Sequence, residues 1–235
     1  MLAIMRREFK AYFFSPIGYI VVAAFYLVSG VSYFSLAAYG YADMRGLFKS
    51  GMVIIVMMVA LPIITMRLMS EDKKIKTDQI LLTSPVTITG IVLGKYFAAL
   101  LVYIIATLAT VVQCIAVALF AVPEWGVIFT NYIGMVLLGA TYIAIGMFIS
   151  SLTENQIIAA IGAIVCNVIV TFAGNLVPKI DIEFLDSFIS DATFLVRYND
   201  FINGTISFSN VMFFLSIVAV FLFLSGRVLE KRRWS

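Results

Sequence analysis

The sequence predicts an all-α polytopic membrane protein with six transmembrane helices, and three observations carry that prediction. Of its 235 residues, 63% are hydrophobic and only 12% charged, about half the charge of a soluble domain. The apolar residues are gathered into six long runs, each near the roughly 20 residues that cross a bilayer as a helix. No run shows the period-two alternation of a membrane β-barrel, so helices are selected. A water-soluble globular domain is excluded, and no sizeable domain outside the membrane fits in the remaining length. The whole chain, 1–235, reads as one transmembrane domain.

The segment before the first span, 1–15, places Leu2, Met5, Phe9, Tyr12 and Phe13 on one helical arc and Arg6, Arg7 and Lys10 on the next. This is an amphipathic helix suited to lie along the inner membrane surface. Ser15-Pro16 supplies an N-cap and a first-turn proline for span 1, Ile17 to Tyr39. That run exceeds the apolar core of a signal peptide, about 7 to 15 residues, and is expected to remain uncleaved. Ser29, Ser32 and Ser35 permit close helix approach along it.

Span 2, Gly51 to Met69, carries Pro62 inside and Arg67 near one end, where the arginine can snorkel to the interface. Span 3 follows from Tyr96 to Val122, span 4 from Val127 to Ser151, span 5 from Ile157 to Val177 and span 6 from Phe208 to Gly226. With the N-terminus in the cytoplasm, twelve basic residues fall in or beside inner segments and four, Arg45, Lys49, Lys179 and Arg197, fall outside. Cytoplasmic loops carry an excess of lysine and arginine, so both termini are expected in the cytoplasm of a cell that holds the chain in its plasma or inner membrane. The net charge of +3 gives no reason to expect a nucleic-acid partner.

The inner loop between spans 2 and 3, residues 70–95, is the most informative segment. It opens with Glu71, Asp72, Lys73, Lys74 and Lys76, continues through Thr77 and Asp78 to Ile80, Leu81 and Leu82, and closes on Thr83-Ser84-Pro85. A mixed-charge face beside an apolar triplet suits a short helix docking in a partner's groove, and equally suits an interfacial helix of a positive-inside loop. The next inner loop, with Thr153, Glu154, Asn155 and Gln156, reads as a polar turn or a second, smaller contact. Outside, residues 178–207 place Leu185, Phe188, Ile189, Ala192, Leu195 and Val196 at helical spacing, which predicts one or two short helices in the outer interface, either a lid or packing. Asn203-Gly204-Thr205 fits a glycosylation acceptor by pattern and a turn by composition.

Chemistry is sparse. Histidine is absent, and no paired carboxylates lie within the spans, which disfavours an intramembrane enzyme. No Asp, Glu or Lys is expected deep in a span, which disfavours ion-coupled transport. Gln113 in span 3 and Asn167 in span 5 are the costliest buried groups, and each serves either as interhelix glue or as a pathway residue. Cys114 and Cys166 lie in apolar runs and imply no disulfide framework. The nearest approach to a phosphate-binding loop, Gly90 to Gly94-Lys95-Tyr96, is one residue short and lacks the hydroxyl that a P-loop places on magnesium.

The order Arg67, Glu71, the charge cluster, Thr77, Leu81-Leu82, Thr83-Ser84-Pro85-Val86 and Leu93-Gly94-Lys95 resembles the inner loop of ABC-2-type transporter permeases. Arg7-Glu8-Phe9, Ser15-Pro16-Ile17-Gly18-Tyr19 and the C-terminal segment from Asp200 to Trp234 resemble the gliding-motility-associated ABC permease subfamily. The resemblance implies a membrane-spanning permease subunit of an ATP-driven exporter. It further implies that Glu71, Asp72, Lys73, Lys74, Thr77, Asp78, Ile80, Leu81, Leu82, Ser84 and Pro85 form a cytoplasmic coupling helix, and that Arg6, Arg7, Glu8 and Phe9 belong to the inner-surface helix. ATP and magnesium would sit on a separate cytoplasmic ATPase, with no cofactor and no catalytic residue in this chain. Implied partners are a second permease chain, in a homodimer or heterodimer, and an auxiliary protein with an extracytoplasmic domain. A membrane scaffold that anchors a motility or secretion machine without moving a substrate is the alternative.

Overall fold

The structure, a computed structural model, describes residues 1–38, 44–77, 86–118, 123–176 and 193–233. Within them the chain is helical and forms α1 (Leu2–Phe14), α2 (Pro16–Ala38), α3 (Met44–Lys49), α4 (Gly51–Lys74), α5 (Ile88–Ala118), α6 (Trp125–Leu152), α7 (Gln156–Leu176), α8 (Phe194–Ile202) and α9 (Phe208–Arg233). The helices long and apolar enough to cross a membrane are α2, α4, α5, α6, α7 and α9, which are spans 1 to 6.

Two boundaries move inward from the sequence expectation, both at the bundle end that carries the N-terminus. Span 2 continues as helix through Glu71, Asp72, Lys73 and Lys74, because Glu and Lys are good helix formers in their own right. Arg67 and Glu71 support that extension as an i, i+4 pair at 2.8 Å, and Lys73 and Lys74 suit the negative end of the helix dipole. Span 3 begins at Ile88 rather than Tyr96, with the Thr87 hydroxyl accepting the Gly90 N–H at 3.2 Å. Its 31 residues reach about 46 Å at 1.5 Å each, longer than the apolar layer of about 30 Å. Lys95 is therefore inside a helix and not in the loop.

Spans 2 and 4 are the most enclosed helices and spans 1, 5 and 6 the least. Span 2 packs on spans 1, 4 and 5, while span 4 packs on spans 2, 3, 5 and 6. Gly146 lets span 4 press against span 2, since a methyl group there would overlap the Thr65 side chain. Tyr103 of span 3 donates its hydroxyl to the Met135 carbonyl at 2.7 Å and Tyr96 donates to Ala140 at 3.2 Å, pinning span 3 to span 4. The outer spans expose apolar stripes such as Ile157, Ile161, Val165 and Val168, as helices facing acyl chains do.

At the opposite end, α8 lies within the segment 178–207 in which short helices were expected. It buries Phe194, Tyr198, Phe201 and Ile202, and the Tyr198 hydroxyl donates to the Phe48 carbonyl of α3 at 3.2 Å. Leu185, Phe188, Ile189 and Ala192 lie outside the described residues. Asn203-Gly204-Thr205 is a turn, with Gly204 at φ +86°, a conformation that glycine adopts without steric cost.

Candidate functional site

The polar groups with most structural content converge where α1, span 2, span 3 and span 4 meet at the bundle end carrying the N-terminus. Ser15 leaves the helical region after α1 (φ −103°, ψ 155°), and Pro16 restarts the chain as span 1. The Ser15 hydroxyl does not cap that span. It turns back, donating to the Tyr12 carbonyl at 3.2 Å and accepting from Arg67 Nη1 at 2.8 Å. Arg67 also lies 5.3 Å over the Tyr12 ring, so the side chain expected to snorkel is instead held under the N-terminal helix.

Tyr12 is buried and donates to the Ile64 carbonyl of span 2 at 2.8 Å. Burial pushes its phenol well above the ordinary value, and the carboxylate of Glu8 adds to the shift. The group therefore stays protonated and remains a donor at any physiological pH. Ile4 and Tyr12 are buried and Glu8 lies between them at i, i+4, i+8, so the inward face of α1 carries a carboxylate among apolar groups. Arg6 and Lys10 point to solvent.

Glu8 meets a buried lysine. Lys95 is 1% exposed; its Nζ lies 3.0 Å from Glu8 Oε1 and 2.6 Å from Asp72 Oδ2. Arg7 completes a chain of charges at 2.6 Å from Glu8. Lys95, expected in the loop before span 3, is instead buried in the first turns of that helix, because two carboxylates from two other elements reach it, the condition under which a protein can hold such a charge. Gly94 permits the approach of α1, since a Cβ there would lie 3.1 Å from the Met1 carbonyl oxygen and 3.2 Å from Ile4 Cβ. The segment that came nearest to a phosphate loop is therefore helix, with its lysine already paired.

On the far side of span 2, Lys73 donates to the Ser151 carbonyl at the end of span 4. The Ser150 hydroxyl accepts the N–H groups of Met69 and Ser70 at 3.2 and 3.1 Å and donates to the Met66 carbonyl at 2.9 Å. Thr77, past the helix end, donates to Asp72 Oδ1 at 2.9 Å. The last turns of span 2 are thus fastened to α1, span 3 and span 4 together.

Of the residues expected to form the coupling segment, Glu71, Asp72, Lys73 and Lys74 belong to span 2, and Thr77 follows its end. Asp78, Ile80, Leu81, Leu82, Ser84 and Pro85 lie outside the described residues. Phe9 is partly buried against Phe13, ring centroids 5.1 Å apart. The loop between spans 4 and 5 is a tight turn, with Asn155 Oδ1 accepting the Ile157 N–H at 2.9 Å and Glu154 2.9 Å from Arg232 of span 6.

Within the bundle, Gln113 donates to the Ser29 hydroxyl at 3.1 Å, joining spans 3 and 1. Asn167 is fully buried, and neither amide atom has a hydrogen-bond partner; Asn131 of span 4 is in the same condition. Asn131 went unnoticed in the sequence because it lies near a span end, where a polar residue is ordinary. Glu8 and Lys95 were missed for a different reason: each reads as a solvated charge until the partner helix is placed. The i, i+4, i+8 spacing of Ile4, Glu8 and Tyr12 was the available signal. Among the described residues no His, Cys, Asp or Glu cluster could hold a metal ion.

A family model described as ABC-2 family transporter protein matches residues 33–228, which takes in the last turns of span 1, all of spans 2 to 5 and most of span 6. No curated protein matches the chain.

Proposed function

The chain belongs to the ABC-2 transporter family, and from that premise we propose that this permease component serves an exporter, driven by a separate cytoplasmic ATPase that docks on the segment between spans 2 and 3. The observation that carries the proposal is the fastening of span 2 at Asp72, Arg67 and Lys73 to α1, span 3 and span 4. A docked ATPase that closes on ATP would push the apolar triplet Ile80, Leu81 and Leu82, and the ion and hydrogen bonds around Asp72 would carry that push into three helices at once.

In this account the end that carries the N-terminus is cytoplasmic, a reading supported by the excess of lysine and arginine there. Two permease chains, identical or paired with a related one, assemble with two ATPases, and substrate moves between them. ATP and magnesium belong to the ATPase, and this chain contributes no catalytic group. The termini resemble those of gliding-motility-associated permeases, which supports a place in that subfamily together with an auxiliary protein outside the membrane.

A scaffold of a motility or secretion machine is the second reading, favoured by the same resemblance at the termini. Substrate-dependent ATP turnover by the purified complex in proteoliposomes separates the two. An exporter subunit raises turnover severalfold when substrate is present; a scaffold leaves the rate of the ATPase unchanged.

A further inference from the structure

A cavity of about 600 Å³ lies between the start of span 3 and the end of span 6, within the range of about 300 to 1,000 Å³ usual for ligand pockets. Its walls are apolar, from Ile88, Val92 and Leu93 on span 3 and Leu222 and Phe223 on span 6, and Thr87, Arg227 and Glu230 stand at its polar edge. None of these groups takes part in the fastening of span 2. We propose that this groove is a phospholipid site, holding an acyl chain of the adjacent leaflet between spans 3 and 6 with an anionic headgroup at Arg227.

Three observations select that occupant. The groove is continuous with the lipid-facing surface of span 6, the least enclosed of the spans, where Phe223 is 60% exposed. Gly226 leaves the wall open, for a Cβ added there would meet nothing within 4 Å. The polar edge presents the guanidinium of Arg227 beside the carboxylate of Glu230. Arg227 is the first basic residue after the apolar run of span 6, which puts it at headgroup depth, and the positive end of the span 3 helix begins at the neighbouring Ile88. Arg227 gives one bond to Glu230 at 2.8 Å and stacks 4.9 Å over Phe223; a guanidinium has five N–H donors, so capacity for a phosphate remains. A free anion would not need the apolar walls, and an uncharged lipid would not need the arginine.

The test is photo-crosslinking of the intact permease in nanodiscs of phosphatidylglycerol or phosphatidylcholine carrying a phospholipid with a diazirine in the headgroup-proximal part of its acyl chain, followed by peptide mapping. The exposed stripe of span 5, Ile157 to Val168, is the internal measure of ordinary annular contact. In phosphatidylglycerol the segments 88–93 and 222–226 should be labelled at least fivefold more than that stripe. Gly226→Leu, which fills open space, should bring groove labelling to the level of span 5 while span 5 labelling stays unchanged. Arg227→Gln should abolish the preference for phosphatidylglycerol over phosphatidylcholine. Equal labelling of groove and span 5 in the wild-type protein, or groove labelling unmoved by Gly226→Leu, overturns the proposal, as does crosslinking of the groove to a second protein chain in place of lipid. The outcome is independent of ATPase docking, so the two proposals fail separately.

Discussion

Asp72, two residues before the end of span 2, and Lys95, near the start of span 3, lie 2.6 Å apart, oxygen to nitrogen, across the mouth of the segment that joins them. The pair closes the base of that segment, and Glu8 brings the N-terminal helix to the same lysine.

Lys95→Met should be strongly destabilising. Removing one partner of a buried ion pair leaves charges without compensation, which costs about 3 to 5 kcal/mol, and here two carboxylates would face each other. A large fall in the thermal midpoint of the detergent-solubilised protein is expected. Adding Glu8→Gln and Asp72→Asn should recover most of the loss. Recovery by neither would mean that Lys95 acts through packing alone.

Gly146→Ala should destabilise the contact of spans 2 and 4, because the added methyl overlaps the Thr65 side chain and overpacking of a tight contact costs about 1 to 3 kcal/mol. Thr65→Ala in the same chain should recover part of it, giving a coupling energy that distant sites do not show. Additive effects in that cycle would contradict the close approach.

Asn167→Leu should melt at or above the wild-type temperature. The amide is buried with neither atom paired, and replacing such a group by an apolar one of similar size removes a desolvation cost without losing a bond. Export measured on the same variant then reports on the pathway: a sharp fall in a stable, assembled protein assigns Asn167 to the route, and unchanged export assigns it to packing.

Topology is checked by single cysteines in a background lacking Cys114 and Cys166. A cysteine at Lys74 should react with an impermeant thiol reagent only after cells are opened, and one at Asp191 should react in intact cells. The opposite pattern would invert the molecule and remove the site from the ATPase.

The six spans were legible because continuous apolarity over about 20 residues has few other physical meanings. Their ends were not. Hydropathy marks where a helix enters lipid and not where it stops, so it placed Glu71 to Lys74 and Lys95 in a loop although the helices run on through them. The amphipathic N-terminal helix was legible from its charged arc, but the pairing of Glu8 with a lysine buried on another helix was not. Arg67 followed the same logic, drawn from the interface to Ser15 and Tyr12. Long-range charge pairing has no signature in a single sequence, since each partner alone looks like an ordinary surface charge.

The central claim is that a separate ATPase acts through the segment between spans 2 and 3, and co-purification tests it most directly. The permease carrying Leu81→Asp and Leu82→Asp should reach the membrane at wild-type level with an unchanged thermal midpoint, yet lose the co-expressed ATPase on affinity purification. Wild-type recovery of the ATPase by that variant would contradict the account.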